Sequence, residues 1–578
     1  MPVNADRLYA ARDVAVARLV EEMRPDGYWE GELSSSALAT ATAIVALHVN
    51  GRDEHAGLIK NGAAWLAADQ NTDGGWGDSP ESPSNLSTTM LAVAALTLAA
   101  KERFPDGLAR ADEYISGHAG RSTDERIAAI TKLYGKDRTF AVPILLTCAV
   151  AGLVPWDRVP SLPFELAALP HALYKTLKLQ VVSYALPALI AVGLALHRHN
   201  PARNRVTRAL RDLTAAKTLK RLAAIQPTSG GFLEAIPLTS FVAMSLAEAS
   251  LPRHPVTDRC LDFIEQTARP DGSWPIDSNL SVWLTSNAVL ALDAAGSLSE
   301  IDAGKTLEWL AAQQYHTEHA YTAAAPGGWA WTHLPGGVPD ADDTARAVLA
   351  LGALDSRSFS AIPSGTHWLL ELQNDDGGWP TFCRGWGKLP FDRSAPDLTA
   401  HVLQAVRGRT DSRAHKAVAQ GIRYLRREQR ADGAWEPLWF GNQAAPGKTN
   451  PVAGTSAVVP VLYELGEHDT AQRGTAYLRQ MQNPDGGWGG AGGVKSSVEE
   501  TACAVAALSQ VPHETDTEHA LERGTAWLVD RIEAGTWTKP APIGLYFSSL
   551  WYSERLYPII WIVEALGRVA ARRTSADG

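Results

Sequence analysis

The chain has 578 residues, of which 45% are hydrophobic and 20% charged, so it can bury a large core. Its 53 basic and 63 acidic side chains give a formal charge of −10, which excludes the electrostatic footprint of a nucleic-acid-binding protein. The four scattered cysteines exclude a disulfide framework and paired metal knuckles, and they predict a reducing, cytoplasmic setting.

The N-terminal half contains no predicted leader or membrane span. Residues 1–20 alternate charged and apolar residues and lack the uninterrupted apolar core of a secretory signal. The most apolar runs, 139–156 and 181–196, each contain proline, and neither clearly reaches the ~20 residues that span a bilayer. We expect these runs to form buried helices, with a monotopic contact at the inner face of the membrane as the alternative.

An internal repeat organises the chain. Each copy has an aromatic–Leu pair, a glutamine four or five residues later, and then Asp-Gly-x-Trp. Four copies keep glutamine and tryptophan six residues apart, namely Gln70 with Trp76, Gln373 with Trp379, Gln429 with Trp435, and Gln482 with Trp488. Degenerate copies occur around Trp29, Phe232, Trp274 and Trp537.

The segments between the copies are rich in Ala, Leu and Val with helical periodicity, as in 88–99, 284–295, 345–354 and 498–508. Each unit is therefore predicted to be a helix pair closed by a Gly-rich turn. Such pairs pack either in an open solenoid or in a closed α/α barrel, and the repeat alone does not choose. We expect each glutamine to tie one helix end to the next helix, with the indole stacked on it, as a structural brace.

Three aspartates crowd into the stretch Asp340-Ala341-Asp342-Asp343-Thr344-Ala345. If they line an apolar cavity they cannot all ionise cheaply, so one should stay protonated. A carboxylic acid kept neutral near pH 7 is a strong proton donor and can protonate an alkene. Helix N-capping explains one aspartate here, but it does not explain three in four positions.

This stretch, the segment Asp397-Leu398-Thr399-Ala400-His401 and the Gln–Trp repeats together resemble the squalene-hopene cyclase family of class II terpene cyclases. The similarity runs through nearly the whole chain. It implies an all-α fold in which two α/α barrel domains, built from the repeats, enclose a large apolar cavity. By this resemblance the catalytic barrel comprises residues 1–20 and 277–578, and the second barrel, 21–276, is inserted near its start.

The resemblance also implies roles for individual residues. Asp342 would deliver the proton, while Asp340 and Asp343 would shape its acidity and hydrogen bonding. His401 would hydrogen-bond this acid as a protonated imidazole, and Asp397 would orient the histidine in turn. A core histidine without a catalytic role is the alternative for His401.

A cavity that carries carbocations needs walls that stabilise positive charge without reacting with it, and aromatic faces do so by cation–π attraction. By resemblance the cavity aromatics are Trp331, Phe382, Trp283, Trp439, Tyr184, Tyr546 and Phe547. Plain core packing is the alternative for each of them.

The segment 382–393 departs from the family pattern and brings Arg384, Lys388 and Arg393 near the acidic stretch. These residues are either salt-bridge partners of the aspartates or a clamp for a diphosphate. The leading substrate is accordingly a long neutral polyprene of the squalene type. The alternative is a prenyl diphosphate, such as geranylgeranyl or farnesyl diphosphate, whose diphosphate is retained. Neither requires a metal or redox cofactor for protonation, and Mg²⁺ is expected only with a diphosphate.

Two other classes of protein are alternatives. A protein prenyltransferase β-subunit shares the helical barrel and binds zinc through Asp, Cys and His, and Asp258 and Cys260 with His316 or His319 have roughly that spacing. A non-catalytic repeat scaffold would not need the acidic stretch. Ring number and oligomeric state stay open, a homodimer among the options.

Overall fold

The computed structural model describes residues 3–135, 138–169, 185–320, 322–355, 360–382, 391–545 and 550–577. Its first helices are α1 (Ala5–Glu21), α2 (Ala37–Asn50), α3 (Ala56–Ala68), α4 (Leu86–Ala100), α5 (Pro105–Ala119), α6 (Thr123–Tyr134), α7 (Arg138–Val150), α8 (Leu186–His199), α9 (Arg205–Ile225), α10 (Ile236–Glu248) and α11 (Pro255–Gln266). The following helices are α12 (Ser281–Ala294), α13 (Ala303–Ala312), α14 (Ala341–Leu354), α15 (Ala361–Leu372), α16 (Pro396–Val406), α17 (Ser412–Glu428), α18 (Pro451–Glu464), α19 (His468–Gln480), α20 (Val498–Leu508), α21 (Thr515–Glu533) and α22 (Tyr557–Asp577).

The C-terminal half forms a closed α/α barrel. Its inner ring runs α12, α14, α16, α18, α20 and α22, each helix packed on the next, and α22 packs back on α12. Outer helices α13, α15, α17, α19 and α21 pack around this ring. The N-terminal helix α1 packs on α21 and α22, so it completes the outer layer of the C-terminal barrel.

A second ring is formed by the N-terminal half. Helices α2, α4, α7, α8 and α10 pack in this order, and α10 closes on α2. The two largest buried cores largely follow the same division, because one runs from Ala37 to Trp274 and adds Val338, Phe382 and Phe391, and the other combines 3–29 with 282–570. The chain is therefore an all-α protein with two α/α barrels, as predicted, and the repeat units close into rings instead of an open solenoid.

The repeat turns brace the outer layer, and the predicted role of the glutamines is confirmed. In the Gln373 copy, Nε2 donates to Gly377 O (2.8 Å) in its own turn and to Ala417 O (2.9 Å) in the next outer helix. Gln70, Gln429 and Gln482 make the equivalent pairs of bonds. Each glutamine thus links two helices through carbonyl groups of their backbones.

The repeat tryptophans hold the turns through hydrogen bonds, whereas their stacking on the glutamines stays a prediction. Each indole is fully buried and donates its N–H to the backbone carbonyl ten residues earlier, for example Trp379 Nε1 to Leu369 O at 2.7 Å. A glycine of the next outer helix packs on the ring edge, and a Cβ at Gly421 would lie 3.0 Å from Trp379 Cζ3. The close packing of this outer helix against the indole therefore requires a residue without a side chain.

A small antiparallel sheet departs from the all-α prediction. Strand β1 (Phe440–Gly441) pairs with β2 (Ile543–Leu545), which pairs with β3 (Leu550–Tyr552). It joins the loop after the Trp435 turn to the loop that precedes α22.

The apolar runs near the middle of the N-terminal barrel are buried helices, as predicted. Most residues of α7 and α8 are buried within the ring. Among the residues that the structure describes, no helix combines the length and apolar character needed to cross a bilayer.

Candidate active site

The start of α14 presents the acidic stretch. Asp340 is the N-cap, and its Oδ1 accepts hydrogen bonds from the backbone N–H groups of Asp342 and Asp343, both at 2.9 Å. The Asp340 N–H donates to Trp329 O (3.0 Å), and the Trp329 N–H donates to Thr344 Oγ1 (2.9 Å). A repeat turn therefore fixes where α14 begins and which way Asp342 points.

The next repeat turn fixes α16 in the same manner. The Ala395 N–H donates to Trp379 O, and the Trp379 N–H donates to Thr399 Oγ1, both at 3.1 Å. His401 follows in the second turn of α16. Because α14 and α16 are neighbours in the inner ring, His401 faces the first turn of α14.

Asp342 and His401 form a buried pair. His401 Nδ1 lies 2.5 Å from Asp342 Oδ1, and the two side chains keep only 9% and 11% of their exposure. No described residue donates a hydrogen bond to Oδ2 of Asp342. One oxygen of the acid is thus held by the histidine, and the other remains available to carry a proton.

The second ring nitrogen of His401 is also engaged. Nε2 lies 2.9 Å from Nη2 of Arg346, one helical turn after Asp342 on α14. A guanidinium has only donors, so Nε2 must accept and the ring proton sits on Nδ1. The contact with Arg346 therefore favours a neutral ring, and the protonated imidazole that the resemblance implies stays a prediction.

Asp397 belongs to the site but does not orient His401 as expected. Its Oδ2 accepts from the Leu438 N–H at 3.0 Å, and both nitrogens of His401 face other partners. The other oxygen, Oδ1, is buried without a partner among the described residues. Burial, and then the charge of Asp342, raises the pKa of Asp397 to about 6.

Asp340 and Asp343 share a proton more readily than two exposed carboxylates would. Burial raises the pKa of Asp340 to about 7, against the hydrogen bonds that it accepts from Asp343. Burial, and then the charge of Asp340, raises the pKa of Asp343 well above its usual value. Two buried carboxyls that interact titrate as a pair, so we expect the pair to hold one proton near neutral pH.

Three of the predicted cavity aromatics gather beside the acid. Phe382 lies 6.1 Å from Trp331 and 6.3 Å from Trp439 between ring centroids, and Phe391 lies 4.9 Å from Phe382. Thr381, just before Phe382, accepts the Ala341 N–H through its carbonyl (2.9 Å) and the Trp439 indole N–H through its hydroxyl (3.2 Å). The aromatic cluster is thereby tied to the first residue of the acid-bearing helix.

Trp283 contacts this cluster through its backbone N–H, which donates to Trp331 O at 3.2 Å. It packs near Phe440, at 6.2 Å between centroids, and lines a cavity of about 120 Å³ inside the C-terminal barrel. The cavity wall also includes Arg346, His401, Asp397 and Glu499, whereas Asp342 is not part of the wall. This polar cavity therefore lies behind His401 as seen from the acid.

Several predicted residues lie outside the described part of the chain, namely Tyr184, Tyr546, Phe547, Arg384 and Lys388. Arg393 is described and is exposed just before α16, whereas the aspartates are buried.

The zinc hypothesis gains no support from the arrangement. Cys260 is buried in α11, where Sγ accepts from Gln226 Nε2 at 3.4 Å, and His319 pairs with Thr322 at 2.6 Å. Asp258 is a salt-bridge partner of Arg52. Within the described ranges, no group of three or more His, Cys, Asp or Glu side chains is arranged to hold a metal ion.

Two contributors to the site were not predicted. Arg346 stands four residues after Asp342, a spacing that places both on one helix face. This spacing could have identified Arg346 as a residue of the site. Phe391 lies in an irregular connection, so no periodic sequence pattern predicts that it lies beside Phe382.

Comparisons with known proteins cover nearly the whole chain. The model of the squalene-hopene cyclase C-terminal domain matches residues 280–571, and that of the N-terminal domain matches residues 13–262. A squalene–hopene cyclase of Alicyclobacillus acidocaldarius is 26% identical over 80% of this chain and 80% of its own length. A drimenyl diphosphate synthase of Streptomyces showdoensis is 32% identical over 54% of each chain.

Among solved structures, the ent-copalyl diphosphate synthase from Streptomyces platensis superposes with a TM-score of 0.61 and 20% identity, covering 98% of this chain and 99% of that one. Two longer fungal relatives match over 96% and 91% of this chain, which spans about half of their length.

Proposed function

Because the chain belongs to the squalene-hopene cyclase family of class II terpene cyclases, we propose that it cyclises a linear polyprenoid by protonating an alkene with Asp342. The observation that carries the proposal is the buried Asp342–His401 pair beside the aromatic cluster. An acid shielded from water can protonate an alkene to form a carbocation, and neighbouring aromatic faces stabilise that cation. Water in the same place would react with the cation.

The chemistry proceeds by proton transfer and carbon–carbon bond formation. The proton on Asp342 Oδ2 adds to one alkene carbon and leaves a tertiary cation on the other, while the N–H of His401 holds Oδ1. Further alkenes of the folded chain attack the cation in turn and close rings. Loss of a proton from the last cation gives an isomer of the substrate, and capture of water gives an alcohol.

The aspartates around the acid set its environment. Asp340 caps α14 and holds the N–H of Asp342, so it fixes the position of the acid. A proton held by the Asp340–Asp343 pair would keep one negative charge out of the site, which would make it easier for Asp342 to become negative as it releases its own proton. Aromatic rings of Trp331, Phe382 and Phe391 would face the first cation.

We propose a neutral polyprene of the squalene type as the substrate. The family match over both domains supports this class. No cofactor is then required. A prenyl diphosphate is the second candidate, favoured by the 32% identity to a drimenyl diphosphate synthase, and in that case Mg²⁺ would accompany the diphosphate.

A substrate panel tests the proposal. Purified protein is incubated in D₂O with squalene, farnesyl diphosphate or geranylgeranyl diphosphate, with and without Mg²⁺, and the products are analysed by mass spectrometry after phosphatase treatment. A cyclic product from squalene with one carbon-bound deuterium is expected. Cyclic diphosphate products alone would replace the squalene proposal by the second candidate, and products without deuterium would contradict protonation.

We also propose that α9 contacts an anionic membrane, from which a water-insoluble substrate would enter. Val206, Leu210 and Leu213 are 76%, 48% and 80% exposed and share one face. Exposed basic residues flank them, namely Arg205, Arg208 and Lys217.

Co-sedimentation with phosphatidylcholine vesicles, with and without phosphatidylglycerol, tests this contact. Leu213→Glu should weaken binding to the anionic vesicles, and Val14→Glu, which changes an exposed valine of α1, should not. Equal binding of the two variants would contradict the assignment.

A further inference from the structure

Arg346 and Asp342 share the face of α14 that is turned to α16. They are one helical turn apart, and the ring of His401 lies between their ends. The Nη2–Nε2 distance of 2.9 Å and the Nδ1–Oδ1 distance of 2.5 Å make one continuous chain from the guanidinium to the acid. Among the residues that the structure describes, the ring therefore has one hydrogen-bond partner at each nitrogen.

The chemistry of the guanidinium restricts the histidine to one form. Arginine stays charged in proteins and offers donors without an acceptor. A proton on Nε2 of His401 would point at the N–H of Arg346 and would place a second positive charge beside it. The neutral ring with its proton on Nδ1 is the form that satisfies both neighbours.

The charge of Arg346 is balanced from the opposite side of the polar cavity. Burial acts to raise the pKa of Glu564 on α22, but the charges of Arg568 and then Arg346 lower it below its usual value. Arg568 Nη2 also lies 2.8 Å from Glu564 Oε1. The negative charge of Glu564 thus stabilises the Arg346 guanidinium as a cation while its contact with His401 is kept.

We infer that Arg346 is a positioning residue that fixes His401 as the neutral Nδ1–H tautomer, so that Asp342 stays protonated for the substrate. This rests on the proposed function of Asp342. An imidazolium would pair with Asp342 as a carboxylate and leave no proton for the alkene. A neutral donor holds Oδ1 and leaves the proton on Oδ2.

The pH range over which this holds depends on every charged group near the ring. These groups are Asp342 and Arg346 on α14, Asp397 on α16, Glu499 and Glu500 on α20, and Glu564 and Arg568 on α22. Arg346 is the cation among them that contacts the ring directly. Its removal leaves none of the described cations in contact with the ring, which favours the imidazolium at mildly acidic pH.

The form of His401 can be measured without turnover by ¹⁵N NMR on protein labelled at histidine nitrogens, with His401→Gln used for assignment. The wild type is expected to show Nδ1 protonated and Nε2 unprotonated from pH 6 to 8. Arg346→Leu should become doubly protonated towards pH 6, whereas Arg346→Lys, which keeps a charged donor, should retain the wild-type signals. Arg568→Met, which removes a cavity cation that does not contact the ring, is the matched control.

Turnover of the same variants gives the functional consequence. Arg346→Leu should lose at least tenfold in kcat at pH 6 relative to pH 8 with an unchanged KM, and Arg346→Lys should not. A protonated Nε2 in the wild type, or a single pH-independent tautomer in Arg346→Leu, would overturn the inference. Absence of turnover in the wild type with the normal tautomer would contradict only the proposed function.

Discussion

His401→Leu is expected to slow the cyclisation without weakening substrate binding. The substitution removes the Nδ1 donor that lies 2.5 Å from Asp342 Oδ1. Asp342 becomes negative as it gives up its proton, so this hydrogen bond is stronger in the transition state than in the ground state. A hydrogen bond to a charged group contributes about 1.5–3 kcal/mol. Its loss should therefore reduce kcat by about ten- to a hundredfold.

A matched variant separates the hydrogen bond from the volume of the ring. The amide nitrogen of Asn occupies nearly the position of the histidine Nδ1, so His401→Asn keeps a donor to Asp342 but loses the contact with Arg346. It should recover most of the activity that His401→Leu loses. His367→Leu, at an exposed histidine of α15, controls for general effects of the substitution.

The assay is single-turnover product formation at saturating substrate, with KM measured separately and the fold checked by circular dichroism. An unchanged kcat in His401→Leu would remove His401 from the mechanism. Equal losses in His401→Leu and His401→Asn would show that the donor at Nδ1 is not what matters.

Other consequences concern the aromatic cluster, the polar cavity and the repeats. Phe382→Leu and Phe391→Leu should each lower kcat by about two- to thirtyfold, from about 0.5–2 kcal/mol of lost cation–π stabilisation, and unchanged rates in both would exclude them from the cavity wall. Burial raises the pKa of Glu499 to about 8, so the folded chain keeps a proton that the unfolded chain releases above about pH 4, and stability falls as the pH rises to 8. Glu499→Gln should therefore show a thermal midpoint that rises relative to the wild type between pH 5 and 8, and parallel curves would contradict the buried neutral acid. Gln373→Met removes one hydrogen bond within the turn and one to the next outer helix and should cost about 1–3 kcal/mol in urea unfolding, whereas Gln313→Met, at a glutamine bonded within its own helix, should cost less.

The helix pairs were predictable because the repeat spacing marks the turn that joins each pair. Glutamine and tryptophan six residues apart mark turns such as Gln373–Trp379, and the structure has a helix on each side of these turns. A further copy escaped detection, since Gln314 bonds Gly327 O and Ala361 O like its counterparts but stands fifteen residues before Trp329. An insertion within the turn lengthens the spacing without changing the bonds.

The acid and its histidine were predictable from local motifs, but the hydrogen-bond partners of the residues around them were not. The stretch around Asp342 and the segment ending at His401 each form the start of an inner helix, and the Trp329 and Trp379 turns bring them together. The expected contact between Asp397 and His401 failed because the carboxylate turns to the backbone of Leu438. Such choices depend on loop geometry that no spacing encodes.

The closure of the helix pairs into a ring could not be predicted from the sequence either. No local pattern distinguishes an open stack of helix pairs from a barrel, because closure depends on how α22 meets α12 and on α1 completing the outer layer. These contacts join residues more than 250 positions apart in the chain.

Product formation by Asp342→Asn tests the central claim most directly. The amide is nearly isosteric with the acid and can still accept the hydrogen bond from His401, but it has no acidic proton to donate. We expect the variant to fold as the wild type does by circular dichroism and to form no cyclic product from the substrate that the wild type converts. Retained cyclisation by folded Asp342→Asn would contradict protonation by this residue and, with it, the proposed mechanism.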